Sequence, residues 1–411
     1  MTNEVKNVPE LRFSDFSEEW KSEKLGNISD RVKRKNQNLE SKMPLTISGN
    51  LGLVDQVTYF SKSVSAKNLE NYTLIKKGEF AYNKSYSNGY PLGAIKRLEK
   101  YDKGVLSTLY ICFRFNENQN TEYMKQYFET SKWHKEVSAI AVEGARNHGL
   151  LNISVNEFFT ILLSIPSLNE QNKIGNFFRK LDRQIELEEE KLELLEQQKK
   201  GYMQKIFSQE LRFKDANGNV YPVWEIKKLE DVASKVKSKN KDNKYNETLT
   251  NSAELGIISQ RDYFDKDISN SKSLVNYYIV EKDDFVYNPR ISNYAPVGPI
   301  NRNKLNRTGI MSPLYTVFKT EGIDKKYLEY YFKTTKWHKF MKLNGDSGAR
   351  SDRFTIKIDL FMDMPILFPN YEEQIKIGHF LEKIENSIKR QSTKIDLLKQ
   401  RKQGLLQKMF V

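Results

Sequence analysis

The chain of 411 residues carries 67 Lys and Arg against 53 Asp and Glu, a formal net charge of +14, with 38% hydrophobic and 12% aromatic residues. That apolar content argues for two or three folded domains rather than disorder, and the basic balance points to a polyanionic partner. The lone Cys112 excludes an internal disulfide and a thiolate zinc site, the four histidines (His134, His148, His338, His379) show no ligand spacing, and no apolar stretch approaches the ~18 residues of a membrane span. The reading is a cytoplasmic chain with no membrane partner and no metal.

Taken in chain order, the sequence repeats itself at an offset of about 204, the distance from Trp20 to Trp224. Leu11-Arg12-Phe13 returns as Leu211-Arg212-Phe213, Leu51-Gly52 as Leu255-Gly256, and Tyr59-Phe60 as Tyr263-Phe264. Phe80 to Asn83 returns as Phe285 to Asn288, Lys132-Trp133-His134-Lys135 as Lys336-Trp337-His338-Lys339, and Gly144-Ala145-Arg146 as Gly348-Ala349-Arg350. The copies differ most in the polar residues of their middles.

Short β-rich runs such as Leu109 to Phe115 and Leu314 to Phe318, broken by Asn, Gly and Ser turns, predict α+β domains. Each is expected to hold one helix, Thr121 to Val137 and Lys325 to Met341, with Trp133 or Trp337 as a core residue near its end. Beyond Pro166 and Pro369 the pattern changes to apolar residues at alternating spacings of four and three. Ile174, Phe178, Leu181, Ile185, Leu192 and Leu195 form one seam, and Ile377, Leu381, Ile384, Ile388, Ile395 and Leu398 form the other. Sustained heptads of this kind predict a coiled coil, with each helix of ~38 residues on the order of 57 Å long.

Two seam positions are polar in both copies, Glu188 and Lys199 in the first helix and Gln391 and Lys402 in the second. An antiparallel pairing is expected to place Glu188 in a layer with Lys402 and Lys199 with Gln391. The fold class is therefore α+β, two pseudo-symmetric domains separated by two long helices in an antiparallel coiled coil. The domains run 1–165 and 209–368, the helices 166–208 and 369–411. The phase of the repeat also places the C-terminal end of the second helix near Leu11.

Motifs for covalent chemistry do not occur: there is no GxxxxGK[ST] loop, no GxGxxG, no Asn-Pro-Pro-Tyr tetrapeptide and no GxSxG. Glu188-Glu189-Glu190 reads as a solvated helix face.

With the whole repeat laid out, the chain resembles the DNA specificity subunits of Type I restriction-modification systems. The carrying residues are the Leu-Arg-Phe segments with their following Trp, the Gly-Ala-Arg triplets, and the helix starts Ile165-Pro166-Ser167-Leu168-Asn169-Glu170-Gln171 and Phe368-Pro369-Asn370-Tyr371-Glu372-Glu373-Gln374. The first copy keeps only Pro166 where the family shows a fuller Pro-x-Pro. The resemblance implies a non-catalytic subunit whose two recognition domains each read one half of a bipartite double-stranded DNA target. It implies that the paired helices set the spacing and dock two methyltransferase subunits carrying S-adenosylmethionine, with no cofactor on this chain, and that restriction (translocase/nuclease) subunits complete the assembly. Twofold-related readers place half-sites roughly 34 Å apart, about one helical turn. The alternative is a DNA-binding coiled-coil scaffold without sequence preference.

Phosphate contacts position a protein on DNA and base contacts specify. For positioning, the candidates are Lys33, Arg34 and Lys35, and Lys235, Lys237 and Lys239 at the equivalent place. For base edges, forked donors and amides are needed. Asn83, Lys84, Tyr86 and Asn88 supply them in one copy, with Asn288, Arg290 and Asn293 in the other, as does the region of Arg146, Asn147 and His148 and its counterpart Arg350, Ser351 and Arg353; Arg146 and Arg350, being shared, read as backbone grips, and the differing residues after them as specifying. Asn beside Gly in such loops also reads as simple turn chemistry.

Overall fold

The computed structural model describes residues 7–62, 65, 68–141, 151–264, 271–346 and 352–411. It divides into two compact units, one of residues 1–189 with 393–411 and one of residues 190–392. Each unit thus combines an α+β domain with the first half of one long helix and the last turns of the other. The division falls inside the helices, because each domain packs against the start of its own helix and the end of its repeat's helix.

The first unit is built on a four-stranded antiparallel sheet of β1 (Ser29–Arg31), β2 (Phe80–Asn83), β3 (Ala94–Arg97) and β4 (Ile111–Phe115) in the order β1-β4-β2-β3. Side chains alternate across a strand, and here both faces are buried. Phe80, Tyr82 and Phe113 face a core with Trp133 and Phe158, while Ala81 and Cys112 face a second core with Leu45, Leu53 and Leu106. Burial there pushes the Cys112 thiol up to about 12, leaving it an inert apolar filler.

The second unit repeats the sheet with β5 (Ala233–Lys235), β6 (Phe285–Tyr287), β7 (Ile300–Arg302) and β8 (Thr316–Thr320) in the order β5-β8-β6-β7. The register is the same to the residue: Phe80 lies opposite Phe113 and Arg97, and Phe285 opposite Phe318 and Arg302. The facing rings stack at 5.6 Å in both units.

Helix α1 (Thr121–Tyr127) follows the first sheet, and α2 runs unbroken over Leu168–Phe207. Their repeats are α3 (Lys325–Phe332) and α4 (Tyr371–Met409). The single helix expected over Thr121 to Val137 is two, since the chain turns after α1 and restarts at His134–Ile140; the second copy restarts at His338–Asn344. The turn is held from inside. Trp133 Nε1 donates to the Phe128 carbonyl at 3.3 Å and Trp337 Nε1 to the Phe332 carbonyl at 3.1 Å, so both tryptophans are core residues as expected.

The residues that mark each long helix start are joined to those that mark the domain start. Arg12 makes a two-pronged pair with Glu170 at 2.8 and 2.7 Å, and Arg212 does so with Glu373 at 2.8 Å on both prongs. The following glutamines bridge to the short helices. Gln171 accepts from the Asn120 N–H and donates to the Pro166 carbonyl, and Gln374 does the same with Asp324 and Pro369. Gly175 and Gly378 let the backbones approach, for a Cβ there would sit 2.6 Å from Asn120 Oδ1 and 2.9 Å from Asp324 Oδ1.

The long helices pair antiparallel inside each unit, but in a register other than the one expected. In the first unit Lys402 bonds Asp182 at 2.7 Å and Glu188 pairs with Lys394. In the second, Lys199 bonds Glu385 at 3.0 Å while the Tyr202 and Phe380 rings meet edge-on at 5.1 Å. Glu188 is therefore not layered with Lys402, nor Lys199 with Gln391. Asp182 and Glu385 each lie one residue past a seam position, on what reads as the solvent face. They win the lysines because α1 and α3 bring a further donor, Gln126 at 2.9 Å and Tyr330 at 2.7 Å. Of the seam residues, Ile174, Phe178, Leu181, Ile185, Ile377, Leu381 and Ile395 are buried; Leu192, Leu195, Ile384, Ile388 and Leu398 are half-buried.

Candidate nucleic-acid interface

In the second unit, the loop between β6 and β7 lies against the segment that carries Arg353. The Ile291 N–H donates to the Asp352 carbonyl at 2.9 Å and the Phe354 N–H to the Pro289 carbonyl at 2.7 Å, forming an isolated antiparallel bridge between Arg290 and Arg353. The first unit makes the matching backbone bond, from Leu151 N–H to the Lys84 carbonyl at 3.0 Å. Among the described residues, the two loop regions chosen from sequence thus meet in the second unit, at Arg290 and Arg353.

The loop is closed by its own chemistry. Asn83 and Asn288 accept from the N–H groups of Ser85 and Arg290 at 3.1 and 3.0 Å, an Asx turn in each copy. Gly93 and Gly298 have φ of +77° and +83°, and a Cβ there would lie 2.1 Å from the carbonyl oxygen of Asn83 or Asn288. Only glycine fits this closure.

Beside the bridge a cleft of about 500 Å³ opens, bordered by Gln260, Tyr263, Arg290, Tyr294, Leu314 and Arg353. Tyr294 is 76% exposed and Leu314 60%. Exposed apolar side chains recur at equivalent places in the first unit: Leu51 with Leu255, Tyr59 with Tyr263, and Leu109 with Leu314. In the sequence the first two pairs serve as repeat markers and the third as the start of a β-rich run, and a repeated Leu or Tyr reads as core. Their exposure in both copies is the signal that sequence reading missed.

Several sequence candidates have partners within the fold. Arg34 is engaged by Glu79 at 2.9 Å and by the Leu74 carbonyl at 3.1 Å, which keeps its guanidinium raised and occupied inside the domain. Asn83 and Asn288 make the turns just described, and Asn288 also donates to the Asn251 carbonyl at 2.8 Å. Lys84 donates to the Ile153 carbonyl at 3.1 Å. Asn36 and Asn240, beside the lysine clusters, are buried and close their loops by bonds to Ser41 and Tyr245.

The others face solvent. Lys33 and Lys237 are exposed; Lys35 is exposed and donates to the Asn71 carbonyl at 2.8 Å. Lys239 is exposed with its ammonium 6.0 Å from the Tyr278 ring, and Lys235 is half-buried. Tyr86, Asn88, Asn293, Arg290 and Arg353 are all accessible, Tyr86 at 62%. Arg146, Asn147, His148, Arg350 and Ser351 lie outside the described residues. Among the described residues no group of His, Cys, Asp and Glu is placed to hold a metal ion, and no helix is long and apolar enough to cross a membrane.

Comparison with known proteins gives the repeat its context. Residues 17–197 match the family described as Type I restriction modification DNA specificity domain. A curated relative, the Type I restriction enzyme MjaVIII specificity subunit of Methanocaldococcus jannaschii, is 25% identical over 256 residues. The match covers 58% of this chain and 59% of the relative, so it spans about three fifths of that protein's length. Two solved structures share the fold. The S subunit of a Type-I restriction-modification system from M. genitalium has a TM-score of 0.53 at 12% identity, over 98% of this chain and 99% of that one. A chain from a type I R-M system, solved for its complex assembly and conformational transition, has 0.51 at 17% identity, over 95% and 97%. With two α+β units of one register, each followed by a long helix, the chain carries a match to the Type I restriction modification DNA specificity domain over residues 17–197 and is similar to a Type I specificity subunit.

Proposed function

We propose that the chain is the sequence-reading subunit of a Type I restriction-modification complex, in which each unit reads one half of a bipartite double-stranded DNA target. The long helices set the distance between the halves and dock two methyltransferase subunits, which carry the S-adenosylmethionine; restriction subunits complete the assembly. The chain itself binds no cofactor and performs no covalent step.

The observation that carries this reading is a scaffold repeated to the register of its sheet with unlike side chains on the loops it presents. Arg290 stands where the first copy has Ser85, and Tyr294 where it has Gly89. A scaffold that grips phosphates alone has no use for such divergence, since phosphate contacts carry no sequence information. The exposed Lys33 and Lys35, and Lys237 and Lys239, serve as the phosphate grips of the two units.

The test is to supply the chain with methyltransferase subunits and map methylated positions in DNA. A motif of two unrelated halves separated by unread base pairs is expected. Methylation without any bipartite motif, or binding that depends on salt but not on sequence, would leave the unspecific scaffold as the better account.

A further inference from the structure

We propose that Arg290 and Arg353 form a guanine-reading fork, so that the half-site of the second unit contains guanine read from this ribbon while the first unit reads nothing comparable there. The inference rests on the reading of the chain as a bipartite DNA reader and adds the base chemistry of one half.

The backbone fixes where the two guanidinium groups start. The bonds from Ile291 to Asp352 and from Phe354 to Pro289 flank the Arg290–Arg353 pair without joining it. That is the non-hydrogen-bonded position of an antiparallel ladder, where Cα atoms are about 4.5 Å apart and both side chains leave on one face. The spacing is close to the ~3.4 Å rise of one DNA strand, so the two side chains suit neighbouring base pairs. Asn288, Pro289 and Gly298 hold the loop in this form before any ligand arrives, which lowers the ordering cost of binding.

The charges favour a base edge over a phosphate. Asp352 lies 3.9 Å from Arg290 and 4.0 Å from Arg353, too far for hydrogen bonds. Among the described residues neither guanidinium has a hydrogen-bond partner, while the carboxylate offsets the repulsion between them. A phosphate approaching both arginines would meet that carboxylate, whereas the neutral O6 and N7 edge of guanine would not. Bidentate Arg to guanine is the pairing this geometry suits. Arg290 is 64% and Arg353 38% accessible, and both border the cleft with the exposed Tyr263, Tyr294 and Leu314. These apolar walls suit sugar or thymine methyl contacts on the flanking steps.

The first copy lacks the fork. Ser85 stands at the place of Arg290, and Leu150, which precedes Leu151 as Arg353 precedes Phe354 in the matching backbone bond, lies outside the described residues. The neighbouring Lys84 is occupied by the Ile153 carbonyl.

The experiment selects from a random duplex pool with the full-length chain and with Arg290→Ala, Arg353→Ala and Arg353→Lys. The expected result is a bipartite motif with guanine in one half. Each alanine variant lowers the preference for one guanine by about 10-fold or more and leaves the other half intact. Arg353→Lys behaves like the alanine variant, because a point charge cannot fork. A wild-type duplex with 7-deazaguanine at that position shows the same loss. Three outcomes overturn the proposal while leaving bipartite reading in place: a motif unchanged in all variants, full preference restored by lysine, or equal weakening on every sequence, the mark of a phosphate contact. A wild-type chain that enriches no bipartite motif overturns the underlying reading and this inference with it.

Discussion

The backbone N–H of Leu11 donates to the carbonyl of Lys408 at 2.9 Å, as the N–H of Leu211 donates to the carbonyl of Lys205 at 3.0 Å. The second bond is local; the first closes the same joint with the opposite end of the chain, as the phase of the repeat requires. Phe410 then packs against Trp20 and Tyr123 in the first unit, as Phe207 packs against Trp224 and Tyr327 in the second.

The first unit therefore depends on the last turns of α4. Phe410→Ala should destabilise that unit by roughly 3–5 kcal/mol and leave the second nearly untouched, with Phe207→Ala doing the reverse. Hydrogen exchange resolved by segment checks this: faster exchange in α1 and not α3 is expected for the first variant, and equal loss in both would contradict the division.

Removing one member of the Arg12–Glu170 or Arg212–Glu373 pair leaves a buried charge uncompensated, which costs about 3–5 kcal/mol. The second pair has an additional stake, since Trp224 Nε1 donates to Glu373 at 2.9 Å, while among the described residues Trp20 Nε1 finds no acceptor. Glu373→Gln should therefore cost more than Glu170→Gln in urea unfolding, by about 1 kcal/mol.

Much of this was legible in advance. The repeat, the long helices, their antiparallel sense and the docking of the C-terminal end near Leu11 follow from spacing and phase. What did not follow is how distant motifs meet. Leu-Arg-Phe and Glu-Gln read as separate signatures until Arg12 is seen on Glu170. The helix register turned on Asp182 and Glu385, because Gln126 and Tyr330 reach them from another element and periodicity along one helix carries no trace of that. Arg34 and Asn288 have the residue types of DNA contacts, yet Glu79 and the turn at Arg290 occupy them.

Glu385 offers a pH test of that register. Burial would raise its carboxyl, but Lys333, the Tyr330 hydroxyl and Lys199 outweigh it and hold the group down at about 2. A depressed folded value stabilises the native state above the unfolded value near 4.5, and that gain is lost as pH falls towards 2. Glu385→Gln should cost about 2 kcal/mol at pH 7, discounted for partial exposure. The gap to the parent should close between about pH 5 and 2. A gap independent of pH would argue against the lysine pairing.

Asp284 behaves oppositely. Burial raises its carboxyl to about 6, only partly offset by the bond it accepts from the Glu281 N–H and by Lys319. A raised acid penalises the folded state once it ionises, so Asp284→Asn should stabilise the protein by about 1–2 kcal/mol at pH 7.5. The advantage should fade below about pH 4 in thermal melts read across pH.

Lys237→Ala should weaken binding about equally on all sequences and lower the salt dependence by about one unit of log K against log salt. Titrations of one selected and one scrambled duplex at several salt concentrations measure both.

The central claim is that one scaffold carries two different readers. Its most direct measurement is the methylation motif made by a chain in which a second copy of residues 21–165 replaces residues 225–368. Two identical readers should produce an inverted repeat of the first half-site. An asymmetric motif that still contains the old second half would contradict the account.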